Sequence, residues 1–112
     1  MTSTAPATPP VLRSTFAGEA DMAELVSLFV SETPARVQML QRLWEEQAME
    51  DLCRVAHQLK GAGGGYGFPS ITDAARRLED SIRSLGHGGP SGTDQLRSSF
   101  DHLMNLLRRV QA

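Results

Sequence analysis

From Phe16 onward, apolar residues return at steps of three and four, the period of a helix that buries one face. No stretch alternates apolar with polar residues long enough for a half-buried strand. Met22, Leu25, Val26, Phe29 and Val30 form the stripe of a first helix over about residues 19–32. Pro34 has no amide hydrogen and Thr33 before it is a good cap, so a second segment begins there and carries Val37, Leu40, Leu43 and Trp44, as a separate helix or as the continuation of one bent helix. A third helix starting at about residues 49–51 sets Leu52, Val55, Ala56 and Leu59 on one side and runs into the glycine-rich stretch 61–67. Pro69 opens the next, with Ile71, Ala74, Ala75, Leu78, Ile82 and Leu85 along its stripe and Gly86 just past its end. After the turn-rich residues 86–92, Leu96, Phe100, Leu103, Met104, Leu107 and Val110 mark the last helix. Short links make sequence neighbours antiparallel. The expected fold is therefore all-α: an antiparallel, up-and-down four-helix bundle with an additional N-terminal helical segment, and no internal repeat points to a solenoid.

A chain of 112 residues, 40% apolar, holds one core. Residues 1–10 mix Pro, Ala, Ser and Thr with neither the charged start nor the apolar run of a signal peptide; the division expected is a flexible tail over 1–15 and one domain over 16–112. Net charge is −2 and the 11 Lys and Arg are dispersed, which leaves no basic patch for nucleic acid. No apolar run approaches the ~20 residues of a membrane span, and the single Cys53 makes neither an internal disulfide nor a Cys-rich zinc site. Together these point to the cytoplasm. Cys53 is expected to pack at a helix edge, and Trp44 and Phe100 to be core aromatics.

The third helix carries the candidate chemistry. At ~100° per residue, His57 stands about 155° from the stripe of Leu52, Val55, Ala56 and Leu59, on the solvent side of the bundle. Gly61 and Gly64 lie further along the same outer face, and Lys60 sits three residues from the histidine. Each glycine inside a helix costs ~1 kcal/mol relative to alanine, so Gly61, Gly63, Gly64 and Gly65 together cost ~4 kcal/mol if all are helical, against a total stability of ~5–15 kcal/mol. Two readings follow. Small residues let another protein's surface reach the imidazole while Lys60 meets negative charge, or the stretch is an inter-helix turn and His57 an ordinary surface residue; composition leaves the two level.

The string His57-Gln58-Leu59-Lys60-Gly61, then Ala62, Gly67, Ile71, Ala75, Leu78 and Glu79, resembles the signature of histidine-containing phosphotransfer (HPt) domains. Phe29, Pro34, Val37, Leu40 and Leu43 resemble the family's opening helices, so the likeness covers about residues 16–110. It implies that His57 accepts a phosphoryl group, Lys60 helps to neutralise it, and Gly61 leaves room for a docking receiver domain, with Gly64, Arg54 and Gln58 on the docking face. Gly63, Gly64 and Gly65 in a row exceed the family's usual pattern, which puts the regularity of this helix end in question.

The resemblance also implies a carrier rather than an enzyme, passing phosphate between response-regulator receiver domains and a hybrid sensor histidine kinase. The chain is expected to be a monomer and, beginning at Met1 and ending after one bundle, a freestanding shuttle. It is expected to bind no cofactor or metal of its own, magnesium coming with the receiver, because no acidic cluster surrounds His57. No nucleotide-binding loop or kinase motif set occurs. A neutral imidazole is a nucleophile at neutral pH, so in-line attack by the outward nitrogen, Nε2, on an aspartyl phosphate requires no separate base. Two other readings compete: a bundle that docks receivers without transferring phosphate, and an enzyme using His57 as a general base with Lys60. His87 reads as a solvated loop residue and His102, beside Asp101, as an outward helix residue. Arg54, Arg76, Arg77 and Arg83 fit a docking surface or a solvated face equally well.

Overall fold

The computed structural model describes residues 11–85 and 92–111. Its elements are a short strand β1 (Leu12–Arg13), helices α1 (Ala20–Glu45), α2 (Met49–Gly65), α3 (Pro69–Leu85) and α4 (Gly92–Arg109), and a closing strand β2 (Val110–Gln111). Gly86 and His87 lie outside the described residues.

The two opening segments expected from Pro34 are one helix with the proline inside it, so no additional helical segment stands apart from the four. Local hydrogen bonding accommodates the proline. Thr33, buried, donates its hydroxyl to the Phe29 carbonyl at 2.8 Å; Arg36 Nη1 reaches the same oxygen at 3.3 Å, and its guanidinium lies 4.8 Å from the centre of the Phe29 ring. The inward face also differs from the expected stripe. Leu25 is 45% and Leu28 52% exposed, while Val26, Phe29, Thr33 and Leu40 are buried. Leu25 thus falls just beyond the arc of α1 that meets its neighbours.

Aromatic stacks fix the helix directions. Phe29 stacks on Tyr66 and Phe68, at the far end of α2, with ring centres 5.0 and 5.4 Å apart, whereas Trp44 stacks on Phe100 of α4 at 4.4 Å. Helix α1 therefore runs antiparallel to α2. Helix α2 packs on α3, α3 on α4, and α1 closes the ring against α2 and α4 in an up-and-down bundle. Leu52, Ala56, Leu59, Ile71, Ala75, Leu78, Leu103 and Leu107 fill its centre. Trp44 is only partly buried but packs against this core, and Phe100 lies in it.

The α1–α2 link places Gln47 at φ +55°, a left-handed conformation stabilised by its own amide donating to the Trp44 carbonyl at 2.7 Å. The α2–α3 link needs Gly67 at φ +83°, and a Cβ there would also run into Ser14 Oγ. Residues 11–15, assigned above to the tail, thus belong to the folded unit. Ser14 Oγ donates to the Tyr66 carbonyl at 2.6 Å, the Thr15 amide donates to the Gly67 carbonyl at 2.7 Å, and β1 pairs in parallel with β2, Leu12 opposite Val110. Two residues per strand are too few for alternation to register in a sequence. Among the described residues no helix is long and apolar enough to cross a membrane.

Candidate functional site

Helix α2 continues through its glycines to Gly65, and only Tyr66–Phe68 make the turn, so the glycine-rich stretch is not the inter-helix loop that composition allowed. The glycines do different things. Gly63 faces α3, where a Cβ would stand 2.7 Å from Thr72 Oγ1 and 2.9 Å from the Thr72 backbone nitrogen; its smallness lets the two helices touch. Thr72 turns this contact into a bond by donating its hydroxyl to the Lys60 carbonyl at 2.9 Å. Gly61 and Gly65 face open space, and Gly64 is exposed beside Thr72. The bare backbone expected next to His57 is therefore present at Gly61.

His57 points outward, its side chain 62% exposed, while Leu59 is buried as the helical angles require. Its Nδ1 lies 2.8 Å from Oε2 of Glu79 on α3. Lys60 Nζ donates to Glu79 Oε1 at 2.8 Å, and Arg83 Nη2, one turn further along α3, forms an ion pair with Oε2 at 2.8 Å. The Glu79 side chain is 1% exposed, buried beneath partners that are themselves open to solvent, His57 and Arg83 most of all. The Lys60 hydrogen bond holds its carboxyl below the usual glutamate range, assisted by the His57 hydrogen bond and the charges of Arg83 and Lys60, against the upward push of burial. Glu79 is thus ionised at neutral pH and can only accept, so the proton between it and His57 belongs to Nδ1. In the neutral ring the lone pair then lies on Nε2, on the side away from Glu79.

Glu79 stands within the family-like string but is not among the site residues expected from sequence. A signal was there: a charged residue four positions after buried Ala75 and three before half-buried Ile82, within the apolar stripe of α3, requires partners, and His57 and Lys60 are the polar groups facing it. The other expected site residues lie on the outer face of α2 but outside this cluster. Arg54 is exposed and paired with Asp51 one turn earlier, Gln58 is exposed, and Cys53 is half-buried with a free thiol. Arg76 pairs with Asp73 at 3.4 Å. His102 is exposed on α4.

Glu79 is already paired with His57, Lys60 and Arg83, and among the described residues no three His, Cys, Asp or Glu side chains come together as a metal site. The described clefts lie elsewhere: one apolar groove, of about 430 Å³, runs between α1 and α4 along Val30, Pro34, Val37 and Leu107.

A family model described as Hpt domain matches residues 24–112. The chemotaxis protein CheA of Halobacterium salinarum (strain ATCC 29341 / DSM 671 / R1) is 32% identical over 71 residues, which cover 60% of this chain and 11% of that protein. No solved structure matches.

Proposed function

The chain belongs to the Hpt domain family, whose members are histidine phosphotransfer modules of two-component signalling, and from that premise we propose that His57 Nε2 is the atom that carries the phosphoryl group. The observation that bears most weight is the His57–Glu79 hydrogen bond. It orients the ring, fixes the proton on Nδ1 and leaves the nucleophilic lone pair outward, the same arrangement by which a carboxylate holds a catalytic imidazole in its working tautomer.

The donor is an aspartyl phosphate on a receiver domain of a response regulator or hybrid sensor kinase. The Nε2 lone pair attacks phosphorus in line, the N–P bond forms, and the bond from phosphorus to the aspartate oxygen breaks, that oxygen leaving with the electron pair as a carboxylate. The Nδ1 proton stays on the ring, which becomes a cation, and Glu79 neutralises it across the existing hydrogen bond. Lys60, beside the reacting face, adds positive charge near the phosphoryl oxygens, and exposed Gly61 lets the receiver approach without a side chain in the way. The reverse attack by a second receiver's aspartate discharges the carrier. The donor set around His57 does not suit magnesium, so the receiver's carboxylates are the place for that ion. The chain covers 11% of the length of its chemotaxis relative.

The test is transfer itself. Purified protein is incubated with a panel of phosphorylated receiver domains, alongside His57→Gln, and the product is checked for acid-labile, base-stable phosphate. Transfer to wild type alone supports the carrier reading. Binding of both proteins with transfer to neither supports a bundle that only docks receivers. A general-base enzyme has little support, because none of the described clefts is lined by His57.

A further inference from the structure

Arg83 has no part in the transfer step as described, yet its guanidinium shares Glu79 Oε2 with His57 Nδ1. Both contacts are 2.8 Å, so Arg83 Nη2 and the imidazole Nδ1 are at most twice that distance apart. Lys60 occupies the other oxygen. With a neutral ring, the cluster of Lys60, Arg83 and Glu79 carries one more positive than negative charge. Arg83 is also 63% exposed, a long side chain whose tip is paired with one shared carboxylate oxygen.

Resting on the reading of His57 as the carrier, we propose that Arg83 is a phosphoryl-binding residue of the phosphorylated state, its guanidinium leaving Glu79 Oε2 for the oxygens of the group on His57 Nε2. Three physical reasons converge. A phosphorylated ring that keeps its Nδ1 proton is cationic and bonds Oε2 more strongly, so two cations then compete for one oxygen and the mobile one yields. The phosphoryl group offers that cation up to two negative charges and several acceptors, which a planar guanidinium engages two at a time, whereas Glu79 Oε2 gives it only a shared one. Lys60, less exposed and holding Oε1 alone, keeps Glu79 in place while Arg83 moves.

The sign of one rate separates this role from a merely structural one. If Arg83 acted only through Glu79, removing it would leave Oε2 to His57 alone, and phosphoryl uptake would hold or rise. If it binds the arriving group, uptake falls. The 112-residue chain is exposed to potassium phosphoramidate, a donor that releases ammonia and needs no partner protein. Wild type, Arg83→Gln, Arg83→Lys and His57→Gln are compared, the modified residue is mapped by mass spectrometry, and unchanged helicity is checked by circular dichroism. Uptake on His57 roughly three- to tenfold slower in Arg83→Gln, partly restored in Arg83→Lys, with the phosphohistidine ³¹P resonance displaced in Arg83→Gln, is the expected result. Uptake by Arg83→Gln at or above the wild-type rate, with an unmoved ³¹P resonance, overturns the role of Arg83 and leaves His57 as the carrier. Absence of phosphate from His57 in wild type overturns the carrier reading and this inference together.

Discussion

Glu79 decides most of what His57 can do, since a histidine on an exposed helix face without it has two interchangeable tautomers and a freely turning ring. Glu79→Gln keeps the shape but not the charge. It should slow phosphoryl transfer roughly ten- to hundredfold while leaving the fold intact, and ¹⁵N spectra of the His57 ring should show the proton no longer confined to Nδ1. The same carboxylate links the site to stability. Because its folded pKa is lowered, the folded state holds this proton less tightly than the unfolded state; its contribution is complete above the ordinary value near 4.5 and is lost as pH falls through the lowered one. Urea unfolding of wild type and Glu79→Gln should therefore give stabilities that converge as pH drops below about 4.5, and a constant gap would contradict the ionic role. His57 was legible in the sequence because its orientation depends only on residues of its own helix. The role of Glu79 was not, because it is defined by partners 19 and 22 positions away on another element.

Whole helices were legible where their signal was local and lost where a neighbour overrode it. The stripes of α2, α3 and α4 match the buried positions closely, since each helix is pressed into the core along its length. Helix α1 departs: a proline that reads as a boundary sits inside it because Thr33 and Arg36 satisfy the Phe29 carbonyl, and Leu25 turns to solvent. The glycines of α2 show the same limit, for composition groups Gly61, Gly63 and Gly65 while packing separates them. Gly63→Ala sets a methyl group against both side chain and backbone of Thr72, so overpacking of about 1–3 kcal/mol should outweigh the gain of up to ~1 kcal/mol in helix propensity. Gly65→Ala meets nothing and should stabilise by up to ~1 kcal/mol. Opposite shifts of the denaturation midpoint at these two positions are the expected result; equal shifts would mean that Gly63 is not a helix contact.

On the scale of the whole molecule, the candidate site draws on α2 and α3 alone, the pair with the most extensive packing, so its four polar side chains are held by one helix–helix contact rather than by the closure of the bundle. The segment before α1 works at a distance from them. It ties the Tyr66–Gly67 turn to the end of α4, joining the link between the two site helices to the last element of the chain. Ser14 is the centre of this tie, buried, donating to the Tyr66 carbonyl and accepting from the Phe16 amide at 3.0 Å. Ser14→Ala removes both bonds and leaves that carbonyl without its donor, a loss of about 1–2 kcal/mol. Because the His57–Glu79–Lys60 cluster is held by direct bonds between α2 and α3 that do not involve Ser14 or the turn, the folded variant should take up phosphate at the wild-type rate. Hydrogen exchange should show the loss as faster opening around residues 66–68 and 110–111, with the amides around His57 retaining their protection. If uptake falls in step with stability, the turn and the site are one cooperative unit, and there is no division of labour between helix pair and N-terminal tie.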